Sequence, residues 1–123
     1  DPGLGGYLAT DPVFKPYADA NMARQQVPTL RNLTKVAVPG SVKGYMHNGY
    51  FKTLEGVVHF YNTRDVLPAC ADPLASEAEA MAQKCWPAPE YAATMNKDEL
   101  GNLKMTGKEE AELVAFLKTL DDE

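Results

Sequence analysis

Long apolar runs are missing from this chain of 123 residues. No stretch approaches the roughly 20 apolar residues that a membrane-spanning helix needs, so no membrane span is expected. Positive charge is scarce as well: 12 Lys and Arg stand against 17 Asp and Glu, a net charge of −5. That balance argues against a nucleic-acid footprint. It suits a basic partner without identifying one. Histidine is limited to His47 and His59, and no clustered Asp/Glu ligand pattern accompanies them. A closed zinc or calcium cage is therefore not expected. The GxSxG elbow, the P-loop and His-Glu-x-x-His are all absent, which removes the hydrolase, nucleotide and metalloprotease chemistries they carry. Gly3, Gly5 and Gly6 do not make a phosphate cradle, because no strand precedes them and no lysine follows at the right place. The opening segment reads instead as an extended arm with tight turns.

Cysteine is nearly absent too. Cys70 and Cys85 match no Cys-x-x-Cys spacing, and no His lies between or just beyond them, so a metal or redox pair is disfavoured. A structural disulfide closing the 70–85 insertion is the expectation, worth about 3 kcal/mol for a loop of roughly 15 residues. Such a bond places the protein in an oxidising compartment, the periplasm or the exterior. The chain opens on Asp1-Pro2-Gly3, with neither a signal peptide nor an initiator Met, and reads as a mature or cleaved product.

What is abundant is punctuation. Nine Pro and nine Gly in one domain's length of chain predict a loop-rich fold with short helices. Asp11-Pro12 opens a short helix with Pro at its first position, and Phe14, Tyr17 and Ala18 would share one face of it. Residues 53–62 form a helix capped by Thr53. Its apolar stripe runs through Leu54, Val57, Val58 and Tyr61, while His59 falls near the opposite side with Glu55. Residues 76–84 make another helix, with Glu early and Lys late as the helix dipole favours. Trp86 then reads as a packing residue beside Cys85. The final helix is announced by the Thr106/Glu109 capping box. Leu113, Val114, Phe116, Leu117 and Leu120 give it a broad apolar face that something must cover. A small, loop-rich chain has little with which to cover it, so a further segment is expected.

The residues with chemistry gather in residues 27–62. Arg31, between Leu30 and Leu33, needs an anionic partner, either an Asp or Glu of the chain or an anionic group of a ligand, which its fork would match. Tyr45, Met46 and His47 precede the turn dipeptide Asn48-Gly49. His47 reads as a hydrogen-bonding loop residue or a ligand, and Met46 as a gap-filler or a thioether ligand. Tyr61 is a core tyrosine with a bonded hydroxyl, or the residue that meets something buried.

The strings VPTLRN, YMHNGYF, TLEGVVHFYN and TGKEEAELVAFLKTL, taken together, resemble the C-terminal haem domain of the bacterial di-haem cytochrome c peroxidase and MauG-like family. The likeness runs along nearly the whole chain. It implies an all-α, loop-rich cytochrome c-like domain, of which residues 1–123 are the C-terminal portion and 70–85 a disulfide-closed insertion. It implies haem c as cofactor, with Tyr61 at the position of the distal iron ligand, His59 as runner-up and Met46 behind it. Arg31 is similar to the family arginine beside the haem, its fork matched to a propionate. Tyr45 and His47 belong to the loop that packs near the haem. Two departures stand out. The chain has no Cys-x-x-Cys-His, so the haem would be attached through a segment not present here: a haem-bearing N-terminal chain or segment of the same protein. Family members bind calcium near the loop through a Thr-x-Pro segment, where this chain reads Val42-Lys43-Gly44.

The implied role is electron transfer as the distal side of a haem domain in a periplasmic peroxidase-like or MauG-like oxidoreductase, with a redox partner protein. A phenolate ligand would favour ferric iron and lower the potential. Two alternatives stay open: a simple electron-carrier cytochrome without peroxidase activity, and a haem-free interaction domain.

Overall fold

The computed structural model describes residues 1–122. Its regular elements are all helical: α1 (Gly3–Leu8), α2 (Leu54–Thr63), α3 (Glu77–Gln83) and α4 (Gly107–Lys118), with two 3-10 turns, Lys15–Tyr17 and Asp19–Asn21. Among the described residues there is no strand. Isolated bridges pair Tyr45 with Phe51 and Ala69 with Trp86. The loop-rich, helical character follows the expectation from proline and glycine content. No helix of the described residues is long and apolar enough to cross a membrane. The chain groups into two compact units, Asp1–Pro28 with Pro89–Asn96, and Thr29–Ala88 with Lys97–Glu123.

In the first unit the glycine-rich opening is helical rather than extended. The Pro2 carbonyl accepts from Gly6 N at 3.1 Å and from Ala23 N at 2.8 Å, and Leu4 N donates to Arg24 O at 2.8 Å. Gly5 is buried, and a Cβ there would stand 2.5 Å from Ala18 O and from the Met22 backbone. The glycine therefore serves close packing of α1 on the following turns, a use of Gly that local composition does not separate from flexibility. Asp11 Oδ1 accepts from Val13 N at 2.8 Å, but the helix expected from Asp11-Pro12 is a turn leading into the 3-10 turn Lys15–Tyr17. Only Ala18 of the expected face is buried; Phe14 and Tyr17 stay exposed. The segment is too irregular to hold one helical face.

The second unit is built on α2 against α4. Thr53 Oγ1 accepts from Gly56 N at 2.9 Å and caps α2. Leu54, Val58 and Val114 are buried between the helices, with Leu33, Tyr45, Met105 and Leu117 around them. The Thr106/Glu109 capping box is formed, and so is a second one, Ser76/Glu79, at the start of α3. Lys84 ends α3 in the left-handed conformation, φ 53°. A second cluster joins Phe51, Ala80 and Trp86, with Phe60, Val57 and Cys70 packed on it. Cys70 and Cys85 are disulfide-bonded, as their spacing suggested. Trp86 packs as expected and donates from Nε1 to Thr63 Oγ1 at 3.0 Å. The apolar face of α4 is only partly covered: Val114 is 5% exposed, but Leu113 is 36% and Phe116 57% exposed.

Candidate functional site

The Gly44–Gly49 loop is closed at its base by Tyr45 N donating to Phe51 O at 2.8 Å, and at its tip by Gly49 N donating to Met46 O at 3.2 Å. Met46 sits at its corner with φ +65°, a left-handed conformation that costs a side-chain-bearing residue about 1–2 kcal/mol. Tyr45 Oη donates to Leu33 O at 3.2 Å. Burial, then the Asp121 carboxylate, pushes the Tyr45 phenol above its ordinary value. His47 is exposed in the loop.

Tyr61 leaves the last turn of α2, and its Oη donates to Met46 Sδ at 3.5 Å. The helix stripe thus delivers Tyr61 half-buried to the loop rather than into the aliphatic core. Its hydroxyl meets a thioether rather than the backbone carbonyl of an ordinary core tyrosine. Burial raises its phenol pKa, and Arg64 opposes that only in part. The neutral phenol is therefore the resting form at neutral pH.

His59 is not on a bare solvent face. Its Nδ1 lies 3.0 and 3.2 Å from the two carboxylate oxygens of Glu110 on α4, and its ring is 5.9 Å from that of Trp86. A carboxylate only accepts, so Nδ1 carries the hydrogen of this contact. Asn62 organises this corner. Buried to 6% exposure, it donates from Nδ2 to Glu110 Oε1 at 2.5 Å and to Met105 O at 2.9 Å, and accepts from Met105 N at 3.0 Å. Neither Asn62 nor Glu110 was marked by the sequence reading. The available signal was a polar residue at the eighth position after Leu54, on the buried stripe.

Arg31 finds its anion within the chain. Its Nε donates to Asp122 at 2.8 Å, with the side chain largely exposed. Asp122 also accepts from Asn32 Nδ2 at 2.9 Å, and Asp121 accepts from Thr34 N at 3.0 Å and from Thr34 Oγ1. Lys43 Nζ donates to two main-chain carbonyls, Asn32 at 2.6 Å and Lys35 at 2.9 Å.

The structure brings Met46 and Tyr61 into contact, turns the Tyr45 hydroxyl to Leu33 O, leaves His47 exposed, pairs Arg31 with Asp122 and sets His59 against Glu110. Among the described residues no three of His, Cys, Asp and Glu converge into a metal-holding group. The donors on offer are single: a phenol oxygen, a thioether sulfur and an imidazole nitrogen. Single donors fit a metal whose other positions are filled by its own macrocycle, as haem iron is held by one axial residue per face. Comparison of the chain with protein families, curated proteins and solved structures finds no match.

Proposed function

We propose that this chain is the distal side of a c-type haem domain that transfers electrons, in the periplasm, within a peroxidase-like or MauG-like oxidoreductase. The observation that carries the reading is the Tyr61–Met46 contact, 3.5 Å from Oη to Sδ. The two motifs of the resemblance, separated in sequence, meet at two side chains of the kinds that ligate haem iron. Bound there, haem would supply one-electron chemistry. Tyr61, fixed on α2, would present its phenol oxygen; Met46 and Tyr45 would wall the pocket; His47 would sit at its rim. The Asp122 partner of Arg31 is exposed and leaves part of the guanidinium fork for a propionate.

Two further features support the reading. Leu113 and Phe116 leave an apolar strip on α4, suited to the haem-bearing segment that would carry Cys-x-x-Cys-His. The disulfide suits an oxidising compartment. A cytochrome c-like fold for the second unit belongs to the same proposal.

Denaturing mass spectrometry of the purified protein, read beside its visible spectrum, is the test. The expected result is a companion polypeptide or segment of haem-adducted mass beside the 13.4 kDa chain, with a Soret band in the native sample. Tyr61→Phe should then shift the spectrum and raise the potential. A colourless protein that stays spectrally silent when a haem c peptide is added would overturn the reading in favour of a haem-free interaction domain.

A further inference from the structure

The tip of the Gly44–Gly49 loop has a chemistry of its own. Asn48 is exposed there, and it is the one asparagine of the chain that glycine follows. Its side chain is curled over the next peptide. Asn48 Oδ1 accepts from Tyr50 N at 3.1 Å, the turn in which an asparagine bonds its own main chain two residues on. That bond brings the side-chain amide carbon round towards the Gly49 nitrogen and polarises its carbonyl. Gly49 has no Cβ to hinder the approach, and its φ of +65° is one that side-chain-bearing residues avoid. Lys52 sets its ammonium group on Gly49 O. A cation nearby favours the charged form of an acid, here the deprotonated Gly49 nitrogen. One contact opposes: Gly49 N donates to Met46 O at 3.2 Å. That bond is at the long end of the normal range, and it lies in an exposed loop, where local opening costs little.

We propose that Asn48 is a self-modification site, where the side-chain amide becomes a carboxylate without any enzyme. The Gly49 nitrogen gives its proton to solvent and attacks Asn48 Cγ. A new C–N bond closes a cyclic imide. The bond from Cγ to the amide nitrogen breaks, and that nitrogen takes up a proton and leaves as ammonia. Water then opens the ring at one of its two C–N bonds. Opening on the side-chain side gives aspartate at position 48. Opening on the main-chain side gives isoaspartate, which routes the backbone through the side-chain carbon and lengthens it by one atom. Nothing is oxidised or reduced. Either product adds a negative charge to a loop that Lys52 already grips. The isoaspartate also lengthens the segment closed by the Tyr45–Phe51 bridge, which carries Met46.

The test incubates the intact chain at neutral pH in water enriched in heavy oxygen, beside the same chain unfolded in guanidinium. Both are then digested and mapped by mass. The expected result is one heavy oxygen at position 48, ammonia released in equal amount, and a rate in the folded chain at least equal to that in the unfolded one. Asn48→Gln should lose both the label and the ammonia. Asn48→Asp marks where the aspartate product elutes, which leaves the isoaspartate peak to be assigned. A folded chain that converts more slowly than the unfolded one, or not at all, would show that the Gly49–Met46 bond locks the nitrogen and would overturn the proposal. Conversion mainly at Asn21, Asn32, Asn62, Asn96 or Asn102 would overturn it as well.

Discussion

Asn62 Nδ2 lies 2.5 Å from Glu110 Oε1, joining the end of α2 to the first turns of α4. With its two bonds to Met105, the side chain uses three hydrogen bonds while 6% exposed. Asn62→Leu keeps the branched shape, strands the Met105 backbone groups and leaves the Glu110 carboxylate with His59 alone. The expected loss is about 2–3 kcal/mol, the cost of leaving buried polar groups unpaired. Urea denaturation followed by Trp86 fluorescence measures it. A midpoint equal to wild type would show that water takes over all three bonds.

Gly56 faces the Glu77 carboxylate so closely that a Cβ would overlap Glu77 Oε1 and stand 2.8 Å from its Cδ. Glu77 is itself buried, accepting from Lys52 N at 2.5 Å and from Thr53 Oγ1. Gly56→Ala should improve helix propensity yet destabilise by about 1–3 kcal/mol, the usual range for overpacking. The excess should shrink in a Glu77→Ala background, since contacting sites are not additive. A double-mutant cycle with no coupling would show that the collision is relieved elsewhere.

Reducing the Cys70–Cys85 bond frees a loop of 15 residues in the unfolded chain. Stability should fall by about 3 kcal/mol by the chain-entropy relation. Melting with and without a reductant tests this. Because Trp86 adjoins Cys85 and is 3% exposed, a red shift of its emission before the main transition would show the insertion opening first.

Three aspartates are held below their ordinary value of 3.8: Asp65 by hydrogen bonds from Arg64, Asp121 by Thr34, and Asp122 by Arg31 and Asn32. A depressed folded pKa means that the unfolded chain takes up protons first as the pH falls. The stability these bonds give is therefore complete above about pH 4 and is lost progressively below it, through the folded pKa values. Urea midpoints measured from about pH 6 down to about pH 2 should bend downward in that window. In Asp121→Asn the bend should be shallower. An identical acid limb in that variant would remove Asp121 from the account.

Local signals in the chain carried well. Thr53 and Thr106, expected as caps, each sit three residues before a donor they satisfy, and such contacts are written in adjacent residues; the Ser76/Glu79 box was equally local and went unread. The Cys70–Cys85 pairing was readable because only two cysteines exist. The helix stripe placed Leu54 and Val58 correctly. It missed His59, whose partner Glu110 is 51 positions away, a separation no periodicity encodes. The opening glycines were misread for a related reason: Gly5 is small because Ala18 and Met22 approach it, and that approach is tertiary. Arg31 was open between a chain carboxylate and a ligand, and the partner found is Asp122, contributed by the far end of the chain. Tyr61 and Met46 were each weighed alone as donors; their contact was visible only once the helix and the loop were folded together.

Lys43 has one more consequence. Its ammonium group reaches two main-chain oxygens, Asn32 and Lys35, the kind of carbonyl pair that a loop otherwise offers to a dissolved metal ion. Here the positive charge is tethered by four methylenes to the loop it organises. A bound ion leaves when its concentration drops, by mass action. A tethered one has no dissociation step, so dialysis and chelators cannot strip this contact.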